Sequence, residues 1–173
     1  MRPSAPPFAV IGFSEVGSSL CIGWNRYSVR GFDTKQTNLD LNAAKCAEMQ
    51  DLSVETAEDV RSAVQEADLI FSTVTADQAF DAALSAAPWL RLGAFFFDLN
   101  SCAPITKQKS AAVIEAAGGR YVDIAVMATV TSDYHHTPML ICGDHSGAAL
   151  TALHALDMTP KLLPGPVGRA STI

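Results

Sequence analysis

An apolar run that ends in a tight glycine turn is the feature of this sequence that most constrains its fold. Residues 8–12 read as a buried strand that ends at Gly12, and Gly17 is followed by residues that can continue as a helix. A strand, a glycine turn and a helix N-terminus together present backbone N–H groups to a phosphate. The segment therefore favours a dinucleotide-binding domain.

Strand-like and helix-like segments alternate along the rest of the chain. Strands are predicted at residues 8–12, 27–32, 52–54, 69–74, 94–97, 121–126, 139–142 and 161–163. Helices are predicted at 15–25, within 34–50, at 57–67 with Thr56 as its cap, at 76–87, from Pro104 to Gly118, and at 146–156. Apolar strands that alternate with helices predict a sheet covered on both faces. The fold class is α/β: a Rossmann-like, doubly wound, mostly parallel sheet in a single domain, with extra strands on its C-terminal side.

Composition argues against several classes of function. Charged residues make up 17% of the chain, against about a quarter in typical globular domains, which predicts a surface covered by another domain or subunit. The net charge of -6 and the lack of a Lys/Arg cluster argue against nucleic-acid binding. No apolar run has membrane-spanning length, and the four cysteines are widely spaced without a CxxC pair. We therefore expect a soluble cytoplasmic protein.

Two residues near the turn bear on the choice of cofactor. Ser14 stands where the dinucleotide fingerprint has a glycine, and its side chain restricts the approach to a pyrophosphate, although its hydroxyl could itself bond a phosphate oxygen. Asp33 follows the second predicted strand, 21 residues after the first glycine, which matches the acidic residue that binds the adenosine ribose. This carboxylate favours NAD over NADP, although Arg30 and Lys35 lie near it. Residues 73–75, at the end of the fourth predicted strand, are expected beside the adenosine.

Three later stretches follow in order: Asp98-Leu99-Asn100-Ser101, residues 121–129, and residues 165–170. Together with the turn and Asp33, they resemble the N-terminal NAD(P)-binding domain of the 6-phosphogluconate and β-hydroxyacid dehydrogenase superfamily. The resemblance implies oxidation of the CH–OH group of a small hydroxy acid, or the reverse reduction. It also implies a partner, either a following helical domain or a second subunit.

The residues and the resemblance together define the candidate site. Cofactor contacts are expected from Gly12, Phe13, Ser14, Glu15, Val16, Gly17, Asp33, Thr73, Val74, Thr75 and Asn100, and substrate contacts from Asn100, Ser101, Met127, Ala128 and Thr129. The last three stand where the family usually has Ser-Gly-Gly. This departure implies a different substrate, or a weaker hold on the usual one.

The resemblance also sets the expected domain limits. In that family a catalytic lysine lies nine residues beyond the first glycine of the last stretch, which here is the position after Ile173. We therefore expect a flexible N-terminus at 1–7, the dinucleotide-binding domain at 8–164, and at 165–173 the start of a linker to a missing helical domain. On this interpretation the chain is inactive alone, as a fragment or a natural short form, and no catalytic residue is assigned to it.

Two other functions stay open: a nucleotide-binding module without catalysis, and a Rossmann-like methyltransferase. No metal site is predicted, because His135 and His136 have no further ligand at a typical spacing. One of the two histidines is instead a candidate to line the substrate pocket. Lys107 and Lys109, on the helix that starts at Pro104, are interpreted as part of a solvated face.

Overall fold

The computed structural model describes residues 7–173, so the predicted flexible N-terminus lies, except for Pro7, outside the described residues. In chain order, the strands β1 to β8 are Phe8–Ile11, Val29–Phe32, Glu55–Thr56, Leu69–Ser72, Phe95–Asp98, Arg120–Val126, Met139–Cys142 and Pro160–Leu162. The helices α1 to α7 are Glu15–Gly23, Asn42–Asp51, Val60–Val64, Ala79–Ala86, Pro104–Ala116, Val130–Asp133 and Ser146–Ala155. Short 3-10 turns occur at Thr34–Thr37, Ala76–Gln78, Ala87–Trp89, Tyr134–His136 and Ala170–Thr172.

All eight strands form one sheet with the order β3-β2-β1-β4-β5-β6-β7-β8. Strands β1 to β6 are parallel, β7 is antiparallel to β6, and β8 runs parallel to β7. The predicted fold class is confirmed, including the extra strands on the C-terminal side. The direction of the strand order reverses at β1 and β4, which is where open α/β sheets bind their ligands.

Side chains on both faces of the sheet are buried, which explains the continuous apolar runs. In β5, Phe95 and Phe97 belong to one hydrophobic cluster and Phe96 to the other, as the two-residue repeat of a strand requires. The first cluster includes Trp24, the C-cap of α1, and Leu153 from α7. The second cluster is covered by α3, α4 and α5 through small residues and Ile114. Both faces are therefore closed to water, as in doubly wound folds.

Two local predictions were wrong by a few residues. The third strand is Glu55–Thr56 rather than 52–54, because Leu52 and Ser53 still belong to the turn that ends α2. Thr56 lies in that strand and does not cap the next helix. Asp59 is the cap instead: its carboxylate accepts a hydrogen bond from the Ser62 N–H at 2.7 Å, and the Ser62 hydroxyl accepts from the Asp59 N–H. Asp59 and Ser62 thus form a capping box, and the cap lies three residues later than predicted.

Within residues 7–173, no helix combines the length and the apolar character needed to cross a membrane.

Candidate functional site

The turn after β1 is held in a conformation that requires glycine. Gly12 has φ +88, and a Cβ built on it would lie 2.7 Å from both the Thr73 carbonyl oxygen and Val74 Cγ1. The Gly12 N–H donates to the Phe32 carbonyl at 2.8 Å, and the Thr73 hydroxyl donates to the Gly12 carbonyl at 2.5 Å. The end of β1 is thereby tied to the ends of β2 and β4. A side chain at Gly12 would push these three strand ends apart.

The first turn of α1 leaves backbone donors available to a ligand. The first N–H groups of a helix have no acceptor within the helix. Ser14 is the N-cap of α1, yet its side chain does not cap them, because its hydroxyl donates to the Thr73 carbonyl at 2.9 Å. This bond also uses the one hydroxyl proton that could have gone to a phosphate. The N–H groups of the first turn are therefore the groups of this loop that could bind an anion.

Asp33 is locked beside the turn at the end of β2. Its two carboxylate oxygens accept from the N–H groups of Phe13, at 2.7 Å, and Lys35, at 2.8 Å. Gln36 completes a capping box around it. A carboxylate has about four lone-pair sites, so these contacts do not use all of them, and acceptor capacity remains for a ligand hydroxyl. The predicted meeting of Asp33 and the glycine turn is thus present in the structure.

Lys45 is a part of this loop that sequence reasoning missed. It is buried on α2, and its Nζ donates to the Phe13 carbonyl at 2.7 Å and to Glu48 at 2.6 Å. Its bond to Phe13 holds the turn one residue after the carbonyl that Thr73 binds. Only tertiary packing brings α2 here, so spacing along the chain gave no signal for it.

A cavity of about 270 Å³ opens between the turn and Asp33. It is lined by the predicted residues Gly12, Ser14, Asp33, Thr73, Val74 and Thr75, and by Ile11, Phe32, Thr34, Lys35, Val60, Gln78, Asp81, Ala82 and Ser85, which the sequence analysis did not assign. Phe13, Val16 and Gly17 do not line it: Phe13 and Val16 pack in the first hydrophobic cluster, and Gly17 is buried. Glu15 is exposed on the first turn of α1.

A second cavity, of about 550 Å³, lies at the ends of β5 and β6. Asn100, Ser101 and Met127 line it, as predicted, together with Cys102, Ala103, Ile124, Ala125, Val126, Ala170, Ser171 and Ile173. Ala128 and Thr129 do not line it; both are exposed, and Thr129 precedes the short helix α6. The two cavities sit at neighbouring strand ends, linked by the hydrogen bond from Asn100 Nδ2 to the Ser72 hydroxyl at 3.1 Å.

Asn100 is prepared to accept a hydrogen bond. Its N–H donates to Asp98 at 2.9 Å, and its side chain is oriented by Ser72. Its Oδ1 is buried with no partner among the described residues. A buried acceptor without a donor costs free energy unless a ligand or water supplies one. A donor group on a bound molecule would satisfy it.

A network of buried charged residues lies next to the second cavity. Lys107 Nζ lies 3.1 Å from an Asp98 carboxylate oxygen and 3.0 Å from one of Asp123, and all three side chains are at most 1% exposed. The Tyr121 hydroxyl donates to Asp98 at 2.5 Å, and the Gly168 N–H donates to Asp123 at 2.8 Å. The prediction that Lys107 belongs to a solvated face was therefore wrong, whereas Lys109 is exposed.

The charges in this network shift the pKa values of its members in a consistent way. Burial by itself lowers the pKa of Lys107, but the carboxylates of Asp98 and Asp123 outweigh it and raise the pKa above the ordinary lysine value. Burial, followed by the negative charge of Asp98, raises the pKa of Tyr121 far above its ordinary value. The lysine is thus charged and the tyrosine neutral at physiological pH.

Several features of the two cavities fit a dinucleotide cofactor. A Cβ at Gly12 would clash with Thr73 and Val74, just after β4, and the N–H groups of the first turn of α1 are not capped by Ser14. Asp33 retains acceptor sites at the edge of one cavity, and Asn100 Oδ1 lacks a donor at the other. Hydroxyl acceptors after β2, anion donors after β1 and an amide acceptor after β5 thus lie along the same edge of the sheet, with β4 between the last two.

Solved structures with this architecture come from several sources. A conserved hypothetical protein from Sinorhizobium meliloti is 31% identical, with a TM-score of 0.91 over 99% of this chain and 58% of its own. An imine reductase variant from Myxococcus stipitatus, in complex with NAD+, is 22% identical, with a TM-score of 0.81 over 98% of this chain and 58% of its own. The Mycobacterium tuberculosis 3-hydroxyisobutyrate dehydrogenase is 20% identical, with a TM-score of 0.79 over 98% of this chain and 57% of its own.

The likeness to the last two proteins shows the fold alone, and this chain spans less than two thirds of the length of each of the three. The family model described as the NAD binding domain of 6-phosphogluconate dehydrogenase matches residues 7–157, which is most of the chain. That match covers the glycine turn, Asp33, Asn100 and the charged residues Asp98, Lys107 and Asp123. The chain therefore belongs to the family of NAD-binding domains of 6-phosphogluconate dehydrogenase.

Proposed function

We propose that this chain binds NAD as the cofactor domain of an oxidoreductase that acts on the CH–OH group of a small hydroxy acid. The observation that most supports the proposal is the position of Asp33, which is locked against the Phe13 N–H and keeps acceptor capacity at the edge of the first cavity. The pyrophosphate would lie against the first turn of α1, with the adenosine between Asp33 and residues 73–75. The bound cofactor supplies hydride transfer at its nicotinamide.

Charge at the first cavity favours NAD over NADP. The Asp33 carboxylate would repel a 2′-phosphate on the ribose that it binds. Lys35 lines the same cavity and carries a positive charge that could attract a 2′-phosphate. Its N–H, however, already donates to Asp33, and the residue is exposed. We therefore propose that NADP binds more weakly, rather than not at all.

The second cavity is proposed as the nicotinamide and substrate side. Asn100 Oδ1 would accept from an amide or hydroxyl donor, and Ser101 lies beside it. Met127 gives this cavity an apolar wall where the family resemblance implies a serine. We propose a hydroxy acid with an apolar substituent at this position, because a thioether side chain cannot bind a carboxylate as a hydroxyl does.

We further propose that this 173-residue chain binds and orients without completing the reaction. Among the described residues that line the second cavity, none is a histidine, lysine, aspartate or glutamate. The remaining titratable group is Cys102, whose thiol pKa is raised by burial and then by the charge of Asp98. A group that exchanges protons near neutral pH is what such an oxidation needs. The oxidoreductase activity itself is proposed on the basis of the family to which the chain belongs.

Calorimetric titration with NAD+, NADP+ and S-adenosylmethionine tests the proposal. We expect NAD+ to bind most tightly, and we expect Asp33→Asn to weaken NAD+ binding by about 10- to 100-fold, which corresponds to one lost charge-assisted hydrogen bond. The same change should raise affinity for NADP+ relative to NAD+. Asp40→Asn, at an exposed aspartate outside the cavity, is the matched control.

Binding of neither nicotinamide nucleotide would refute the cofactor assignment. Binding of S-adenosylmethionine in their place would support the methyltransferase alternative. Binding of NAD+ without any turnover of hydroxy acids by the chain is the expected result for the cofactor domain.

A further inference from the structure

Two histidines and an aspartate meet at the end of α1 that lies away from the glycine turn. His135 and His136 end the 3-10 turn Tyr134–His136, and Asp157 follows α7. The His135 and His136 Nε2 atoms lie 3.7 Å and 3.1 Å from the same Asp157 oxygen, Oδ2. One ligand atom from each of the three residues lies within 4.8 Å of the other two. We propose that this cluster binds a divalent transition-metal ion, such as Zn²⁺, through two imidazoles and one carboxylate.

The distances suit such an ion. Nitrogen and oxygen ligands lie about 2.0–2.2 Å from Zn²⁺, so two ligands at a tetrahedral angle are about 3.3–3.6 Å apart. The two histidine–aspartate distances, 3.1 Å and 3.7 Å, lie on either side of that range. Small rotations of the side chains would equalise them. Three protein ligands leave the fourth position to water, and imidazole with carboxylate is a ligand set that zinc and its neighbours accept.

The backbone holds the ligands in place at some cost. Among the described residues, Ser53, Tyr134 and Asp157 are the non-glycine residues with positive φ. Tyr134 directly precedes the histidine pair, and Asp157 is itself a ligand. Strained positions of this kind persist where the surrounding structure determines them, and they are concentrated at functional sites.

The packing of His135 adds to this rigidity. Its ring lies against Gly23, where a Cβ would collide with it, and the residue is 8% exposed. The ring is thereby fixed with Nε2 towards Asp157. His136 and Asp157 are about half exposed, so an ion can reach the cluster from solvent.

Arg26 is the group that competes with the metal. Its Nη2 lies 3.4 Å from Asp157 Oδ2, the oxygen that the two imidazoles share. A guanidinium there repels a cation and occupies one of its ligands. The proposal therefore predicts opposite effects for two substitutions: loss of a ligand weakens metal binding, and loss of Arg26 strengthens it.

This site is separate from the one described above. Neither histidine lines either of the two cavities, so the interpretation that one of them lines the substrate pocket is not supported by the cavity linings. A bound ion would join the segment between β6 and β7 to the end of α7. The bound ion would therefore stabilise this edge of the sheet, independently of cofactor binding.

Calorimetry of the chain without a histidine tag, titrated with ZnCl₂, tests the proposal. We expect one ion per chain, and at least a ~10-fold loss of affinity in His136→Ala and in Asp157→Asn. Asparagine tolerates positive φ, so Asp157→Asn should keep the fold. His154→Ala, at an exposed histidine of α7 outside the cluster, should bind like the wild type, and Arg26→Gln should bind more tightly.

Zinc should also raise the melting temperature of the wild type, and should raise that of Asp157→Asn less at the same zinc concentration. Titration with NAD+ should give the same affinity in all of these variants, which separates this test from that of the cofactor site. Absence of zinc binding in the wild type would overturn the proposal. Binding that is equal in the wild type, His136→Ala and Asp157→Asn would overturn it as well.

Discussion

Lys107→Met removes the cation that lies between two buried carboxylates, and we expect it to destabilise the fold strongly. Lys107 is 1% exposed, and Asp98 and Asp123 are fully buried. Removal of one partner from a buried ion pair costs about 3–5 kcal/mol, because the charge left behind is uncompensated. Methionine is close to lysine in volume, so little of this cost comes from a cavity. The loss is a large share of the 5–15 kcal/mol that typically separates folded from unfolded domains.

Urea unfolding at neutral pH measures the effect, with Lys109→Met as the control. The two lysines lie on the same helix two residues apart, but Lys109 is exposed, so its substitution should change the free energy of unfolding by no more than about 0.5 kcal/mol. Equal stability of the two variants would refute the reasoning. It would mean that the carboxylates of Asp98 and Asp123 do not need the lysine.

The pH dependence gives a second test of the same interaction. Burial opposes the charge of Lys107 but the two carboxylates outweigh it, so its folded-state pKa lies above that of an unfolded lysine. Its contribution to stability is therefore complete below about pH 10.4 and is lost as the pH rises through the folded-state pKa. The difference in stability between wild type and Lys107→Met should be constant near neutral pH and shrink in strong alkali. A difference that grows with alkaline pH would contradict the assignment.

Two further changes test the loop after β1. Gly12→Ala should lower the free energy of unfolding by about 1–2 kcal/mol because of the positive φ, and by more because of the clash with the Thr73 carbonyl, and it should abolish NAD+ binding. Gly147→Ala, where a Cβ meets nothing within 4 Å, is the control. Wild-type affinity for NAD+ in Gly12→Ala would contradict the role of the turn. Glu15→Gln should tighten NAD+ binding about two- to fivefold at low salt, because it removes an exposed carboxylate from the helix turn proposed to bind the pyrophosphate; weaker binding by calorimetry would contradict that placement.

Local pattern was enough to predict most of the fold. Seven of the eight strands overlap their predicted ranges, since a strand buried on both faces is continuously apolar, as in Phe95 to Phe97. The exceptions are short elements with few residues to mark them, such as β3, where two residues pair with β2. The cap at Asp59 was missed because Thr56 and Asp59 match the same pattern as Asp59 and Ser62.

Some residues of the candidate site could be predicted from local pattern, and others could not. Gly12 and Asp33 were predicted because both belong to one local unit of strand, helix and strand, whose spacing is fixed along the chain. Lys45, which holds the turn through the Phe13 carbonyl, comes from a helix that the chain pattern does not place.

What the sequence alone determined is therefore whatever depends on neighbours along the chain: the strand periodicity, the glycine turn and the acidic residue after β2. Tertiary structure decided which charges are buried. Lys107 and Lys109 are indistinguishable in sequence, yet one lies between two carboxylates and the other faces solvent. It also decided that Asp157 meets a histidine pair more than twenty residues away. The physical reason is that burial and Coulomb interactions depend on distances in space. Those distances are fixed only when the helices have packed on the sheet.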